Sequence, residues 1–340
     1  MNVEERKEFW KLLCSLKGEN VKSEADELLS MIKFPRFLYR YRSVNSNTLE
    51  ALRTNTLYYS SANYYDDPFD TFLNINLNGI TEQLQKGMDD PRYLEFFLKE
   101  FNQDKYLPIK SVLGLNGEQA ISEDALRGLF NANAVKSFID KMGEFRNIIK
   151  EDTWSICFSE NGINENLWLK YANQHKGFAL MYALEKEENF ICGKDPKCDN
   201  CAMNYVGKSL YPVCYSNEKY DATSFAQYII KRKLEEKFNY PDLLDGIMPV
   251  SDNQTWEREK IALIKRECHH YDEEWRIVTV APPNSHIFLK WKPVGIILGL
   301  KMEPNEENLV ITLAKQAGIQ SIYKSKITND GNLDVEPLSL

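Results

Sequence analysis

No apolar run in this chain approaches the length of a membrane span. Uninterrupted runs such as Ile296–Leu298 within Val294–Leu300 fall far short of the roughly 20 residues that a helical crossing needs. An excess of positive charge is missing too. With 42 Lys and Arg against 50 Asp and Glu the net charge is −8, which argues against non-specific binding to nucleic acid or to anionic membrane, since both reward a basic surface. The first residues, Met1–Cys14, carry acidic side chains and no apolar core, so no secretory signal is expected there. Seven cysteines, an odd number, fit a reducing compartment better than a disulfide framework, and the expected location is the cytoplasm. Three motifs are absent as well: a G-x-x-x-x-G-K-[ST] phosphate loop, a G-x-G-x-x-G turn opening a helix, and a G-x-S-x-G nucleophile elbow.

What the chain does contain is ordinary globular composition, 43% hydrophobic and 27% charged over 340 residues, enough for one elaborated domain or two. Aromatics are plentiful, with 18 Tyr, 17 Phe and 6 Trp, which suits a pocket. Residues 3–33 read as two helices parted at Gly18-Glu19-Asn20, and Pro35 ends them. Phe37–Arg42 alternates aromatic and basic residues as a strand does. Asn45 to Asn47 cap a short helix through Leu52, followed by a strand at Thr56–Ser60. The Asn63–Asp70 loop is stiffened by Pro68, and its aspartates read as turn formers before they read as cation ligands. Residues 80–150 form a mostly helical insertion, with periodicity at Tyr93–Phe101, Ser122–Asn131 and Ala134–Lys150.

The segment 185–252 is a polar insertion bearing Cys192, Cys198, Cys201 and Cys214. Cys198-x-x-Cys201 is half of a zinc knuckle, without a second close pair, so free thiols are the competing reading. Helices are expected at Ala222–Phe238 and about Thr255–Cys268. The acidic run from Tyr271 then leads into a strand ending at Val278. The chain closes with strand Val294–Leu300, helix Glu303–Ala317 and strand Ser321–Lys324, a βαβ-like ending.

Trp154–Tyr182 organises the rest. It predicts a strand (Trp154–Phe158), a polar turn, one amphipathic helix reaching His175-Lys176, and an apolar strand (Gly177–Leu184). Trp168, Tyr171 and His175 are spaced to share one helix face, either as packing or as the aromatic wall of a pocket. Cys157 with His175 would make a thiol–imidazole pair, but a thiol inside an apolar strand is usually inert.

Three polar sites stand at strand ends: Arg40 and Arg42, Cys157-Phe158-Ser159, and Asp272-Glu273-Glu274. An arginine fork clamps a pyrophosphate, a serine holds a ribose or carboxamide, and a glutamate stabilises positive charge developing on a sugar. Together they suit cleavage of a glycosidic bond. Taken singly, each is also an exposed strand arginine, a turn serine or an acidic strand flank.

The ordered run Leu38-Tyr39-Arg40-Tyr41, Leu57-Tyr58-Tyr59-Ser60, Asp66-Asp67-Pro68-Phe69-Asp70, Cys157-Phe158-Ser159, Trp168, Tyr171, His175-Lys176-Gly177, Glu274-Trp275-Arg276-Ile277 and Ile296-Ile297-Leu298-Gly299 resembles the bacterial family catalogued as domain of unknown function 2971, over residues 37 to about 325. Asp66 stands where members carry asparagine, and Leu167-Trp168-Leu169 where many read methionine-tryptophan-serine. The order of arginine, serine-ending strand and glutamate strand also looks like the arginine–serine–glutamate class of ADP-ribosyltransferases. That likeness implies that Arg40 (or Arg42, on the same strand face) holds the phosphates of NAD, that Ser159 supports the nicotinamide ribose, and that Glu274 is catalytic. Asp272 would take the target-selecting position. Cys157-Phe158-Ser159 departs from the serine-threonine-serine pattern usual in that class.

The expected fold is therefore mixed α+β: a split central β-sheet with helical insertions, ADP-ribosyltransferase-like. Residues 1–36 would be a helical extension, 37–325 one elaborated domain and 326–340 a tail. The expected pocket comprises Arg40, Arg42, Ser159, Trp168, Tyr171, His175, Asp272 and Glu274. It would take NAD as substrate and an unidentified protein or nucleic acid as acceptor, by analogy in phage defence or a toxin-like role. Two other classes stay open. One is a non-catalytic binding or scaffold module using the same pocket. The other is a metal-dependent nuclease with Asp66, Asp67 and Glu274 meeting in space.

Overall fold

Asn2, Asn20 and Asn45 each stand one residue ahead of a helix and accept a backbone N–H from its first turn. A short amide side chain there satisfies a donor the helix cannot satisfy itself. They open α1 (Val3–Ser15), α2 (Val21–Met31) and α3 (Ser46–Arg53). The computed structural model describes residues 1–87, 89–101, 119–128, 135–184, 190–191, 209–238, 250–251 and 253–338.

The remaining helices are α4 (Leu77–Gly87), α5 (Pro91–Phe101), α6 (Glu123–Gly128), α7 (Val135–Asp152), α8 (Glu165–Lys170), α9 (Thr223–Phe238), α10 (Glu257–Ala262) and α11 (Pro304–Gln316). The strands are β1 (Leu38–Arg42), β2 (Thr56–Tyr58), β3 (Ser60–Ser61), β4 (Thr153–Ser159), β5 (Phe178–Tyr182), β6 (Phe190–Ile191) and β7 (Leu210–Pro212). After them come β8 (Cys214–Tyr215), β9 (Ile264–Lys265), β10 (Glu274–Val280), β11 (Phe288–Trp291), β12 (Gly295–Leu298), β13 (Ser321–Ile327) and β14 (Leu333–Pro337).

Nine strands form one mixed sheet in the order β14-β13-β12-β5-β1-β4-β10-β7, with β3 added beside β4. Within that sheet, among the described residues, only β12 and β13 run parallel, joined through α11 as the sequence predicts. β2, β11 and β6 form a second sheet, and β8 with β9 a two-stranded third. Along β4, Trp154, Ile156 and Phe158 alternate into the main core. There they meet Leu38 of β1, Leu180 and Tyr182 of β5, and Trp275 and Ile277 of β10. The Tyr182 ring lies 5.5 Å from Phe158 and 4.9 Å from Trp291.

The chain divides into two compact units. The first comprises residues 1–72, 150–219 and 258–340 and holds all three sheets. The second comprises residues 73–149 and 220–257. Its described part is mostly helical, with Phe145 and Phe225 packed 6.5 Å apart and a bridge between Asn74 and Asp221. No helix among the described residues is long and apolar enough to cross a membrane.

Several expectations need revision. Residues 1–36 are not a separate extension: α1 buries Phe9 and Leu13, and its Arg6 guanidinium lies over the rings of Tyr215 and Trp275. Nor is 326–340 a free tail, because β14 pairs with β13 over five positions as the sheet's edge. The helix expected at Thr255–Cys268 stops at Ala262, and Ile264-Lys265 then pairs with Cys214-Tyr215. The central helix is shorter than its aromatic spacing implies. It ends at Lys170, and Asn173, Gln174 and His175 follow in the left-handed region with φ of 47°, 56° and 67°.

Candidate active site

Strand β1 pairs with β5 at five successive positions but with β4 at one, Tyr39 opposite Ser159. Beyond that pair the two strands part, and a cavity of about 240 Å³ occupies the opening. All its walls belong to the first unit. Register places Arg40 opposite Leu180 and Arg42 opposite Phe178, so both arginines leave β1 on the core face. Ser159 lies opposite Glu274, and Cys157 opposite Arg276, on the other face of the sheet. The two sets meet only because β1 and β4 separate there.

The β1 wall is positive and uncompensated. Arg40 is 6% exposed; its Nη2 donates to the Tyr58 carbonyl at 2.9 Å, and its Nη1 is buried with no partner. Arg42 forms no ion pair or side-chain hydrogen bond among the described residues. Burial and then the neighbouring Arg40 charge pull the Arg42 guanidinium down to about 9.

The β10 wall is a closed ionic network. Arg276 donates through Nη1 and Nη2 to the two Asp70 oxygens, at 2.8 and 2.6 Å, and through Nε to Glu274 Oε1 at 2.7 Å. Lys265 donates to Glu274 Oε2 and to Asp272 Oδ2, each at 2.8 Å. All five groups are less than 10% exposed. Burial works to raise the Glu274 carboxyl, but Arg276 and Lys265 outweigh it and hold the group well below the usual carboxylate range. Its backbone is pinned as well: the N–H donates to Tyr215 Oη at 2.7 Å, and Arg6 Nη1 donates to the carbonyl at 2.7 Å.

Ser159 is buried beside this network, and its Oγ accepts the Asn161 N–H at 3.1 Å. Tyr65 crosses the floor, its hydroxyl hydrogen-bonded to Ser155 Oγ and its ring 5.2 Å from the Arg276 guanidinium. Burial and then Glu274 push the Cys157 thiol up to about 11, so it stays protonated at neutral pH. Tyr64 and Tyr171, both exposed, edge the mouth.

Of the eight residues expected in the pocket, Arg40, Arg42, Ser159, Tyr171, Asp272 and Glu274 line this cavity. Trp168 and His175 do not. Trp168 is fully buried in a smaller core with Tyr41 and Ala179, and its Nε1 donates to the Gly162 carbonyl. His175 sits on the left-handed turn with its ring stacked on Trp168, 5.9 Å between centroids. The helix ends one turn too early to bring the three aromatics to a common face, and the thiol–imidazole pair goes with it.

Lys265, Arg276 and Asp70 were missed by sequence reasoning. Arg276 had a visible signal, standing two residues after Glu274 and hence on the same strand face. Lys265 had none, being hidden inside an expected helix.

The three carboxylates of the nuclease reading, Asp66, Asp67 and Glu274, all line this cavity, where Asp66 faces Lys170 at 3.6 Å, Asp67 faces His269 at 3.1 Å and Glu274 is held by Arg276 and Lys265. Among the described residues no group of three or more His, Cys, Asp or Glu is placed to hold a metal ion. Cys192, Cys198 and Cys201 of the zinc half-site lie outside the described residues. Cys214 is buried in β8, burial pushing its thiol to about 11. Comparisons with protein-family models, curated proteins and solved structures found no match to this chain.

Proposed function

We propose that the cavity binds NAD and breaks the bond between nicotinamide and ribose C1′, passing ADP-ribose to an acceptor nucleophile or to water. The observation that carries this reading is the meeting of Arg40, Ser159 and Glu274 around one cavity, from strands far apart in sequence. The parting of β1 and β4 supports the split sheet implied by the likeness to ADP-ribosyltransferases. Nicotinamide would leave with the electron pair of the C1′–N bond. The ribosyl cation would form beside ionised Glu274, and the attacking group's proton would pass to solvent. A carboxylate held below its usual range stays charged throughout the physiological pH range, as that role requires.

Glu274→Gln keeps the shape and removes the charge. The expected result is loss of NAD turnover by about 100-fold or more, with NAD affinity within a few-fold of wild type. Chromatographic release of nicotinamide and calorimetric titration of NAD measure the two. Unchanged turnover in the variant, or none in the wild type, removes the reading.

A second reading, a non-catalytic nucleotide-binding module, has one specific observation in its favour. Both Glu274 oxygens already accept from cations, Oε1 from Arg276 and Oε2 from Lys265. Wild-type protein that binds NAD and leaves it intact is the outcome that selects it.

A further inference from the structure

Arg6 stands on the buried stripe of α1 with Phe9 and Leu13, where a helix normally turns apolar side chains to the core. Its donors go to the main chain behind the cavity. Nη1 donates to the Glu274 carbonyl at 2.7 Å and to the Val213 carbonyl at 3.0 Å. The guanidinium also lies 5.5 Å from the Trp275 ring and 5.8 Å from that of Tyr215, and pairs with Glu160 at 3.1 Å. These neighbours in turn hold the start of β10. Tyr215 Oη accepts the Glu274 N–H at 2.7 Å, Glu160 accepts Trp275 Nε1 at 2.8 Å, and Val213 N–H donates to the Glu274 carbonyl at 3.0 Å.

The start of β10 needs such holders. Glu273, just before it, occupies the left-handed region with φ 45° and ψ 47°. That conformation costs a non-glycine residue about 1 kcal/mol or more and persists only where its surroundings enforce it. On the β7 side, pairing ends at Trp275 opposite Pro212, one residue short of Glu274. Arg6 and Tyr215 take over there.

We infer that Arg6 is a positioning residue for Glu274. It does not line the cavity; from behind, it fixes the main chain that aims the carboxylate between Arg276 and Lys265, which makes α1 part of the active site. The role rests on the proposed chemistry for what Glu274 does, and not for where Glu274 is held. A lysine at this position keeps the charge but lacks the planar fork that serves two carbonyls and a carboxylate together.

Arg6→Lys is the test. Because a misplacement of about 1 Å can cost a reaction up to about 100-fold, kcat for nicotinamide release should fall about 10-fold or more. NAD affinity by calorimetric titration should stay within a few-fold. In a Glu274→Gln background the same change should cost almost nothing further, since the group it acts through is gone. A variant that merely left fewer molecules folded would lose the same factor in both backgrounds. Leu13→Ala thins the packing of the same helix and makes none of these contacts. Its thermal midpoint should fall while kcat, measured well below that midpoint, stays at wild type. A readout that needs no turnover is amide hydrogen exchange by NMR. The Glu274 amide, relative to that of Ile277 in the same strand, should exchange several-fold faster in Arg6→Lys and not in Leu13→Ala.

Equal losses in the two backgrounds, a loss as large in Leu13→Ala, or unchanged exchange at Glu274 overturns the role. Faster Glu274 exchange in Arg6→Lys, with NAD left intact by the wild type, keeps the role and removes the glycosidic reading. NAD turnover indifferent to Arg6→Lys does the reverse.

Discussion

Arg276 places its donors on three neighbours: both Asp70 oxygens, Glu274 Oε1 and the Ala262 carbonyl. Its burial alone would be unfavourable, and the two carboxylates are what make it tolerable. Removing one member therefore hurts more than removing a matched pair. Arg276→Met should cost about 3–5 kcal/mol, because buried Asp70 then keeps only the Thr71 hydroxyl and a 3.7 Å ion pair with Lys265, and Glu274 keeps only Lys265. Asp70→Asn alone should also destabilise, and the double variant should cost clearly less than the two single costs added together. Urea denaturation of the four proteins measures the coupling; simple additivity would mean that the two groups do not act as one unit. Arg42 presents the contrary case, a half-buried charge with no ion-pair partner among the described residues.

The elements show where sequence pattern suffices and where it does not. β1 was legible because Leu38-Tyr39-Arg40-Tyr41-Arg42 alternates with the strand period, and the same alternation carried both arginines to one face. Ser159 and Glu274 were legible as polar residues at the ends of apolar strands, Ser159 closing β4 and Glu274 opening β10, although nothing local declared that they would be cross-strand partners. Lys265 was hidden because tertiary pairing of Ile264-Lys265 with Cys214-Tyr215 overrode a helical pattern. His175 was misplaced because its spacing from Trp168 looked helical, while Asn173, Gln174 and His175 adopt left-handed backbone instead. That turn is tolerated because its carbonyls are used: Lys301 N–H donates to the His175 carbonyl and Gly299 N–H to that of Gly177. It also packs backbone on backbone, for a Cβ at Gly177 would lie 2.1 Å from the Arg42 carbonyl oxygen. Gly177→Ala should accordingly cost about 3 kcal/mol through forced backbone movement. A thermal midpoint equal to wild type would show that β1 yields freely at Arg42.

At the scale of the whole molecule the net charge of −8 and isoelectric point near 5.3 hide an uneven distribution, and acid should expose it. Glu274 has a folded-state pKa held below the ordinary glutamate value of about 4.5 despite burial, chiefly through Arg276 and Lys265. A carboxylate depressed in the folded state contributes stability that is complete above its unfolded pKa and is lost as pH falls toward the folded one. Each unit of depression corresponds to about 1.4 kcal/mol. The strand that carries Glu274 should thus keep its protection from pH 7 to about 5 and begin to lose it below the unfolded value. Hydrogen–deuterium exchange of the β10 amides, corrected for intrinsic rates, reads this locally, so it does not depend on the two units unfolding together. In Glu274→Gln the acid-dependent part of the loss should shrink, since no proton is taken up at that position on opening. If β10 protection falls as steeply with pH in the variant as in the wild type, another carboxylate governs the acid response, and the network around Arg276 is not what holds this strand in place.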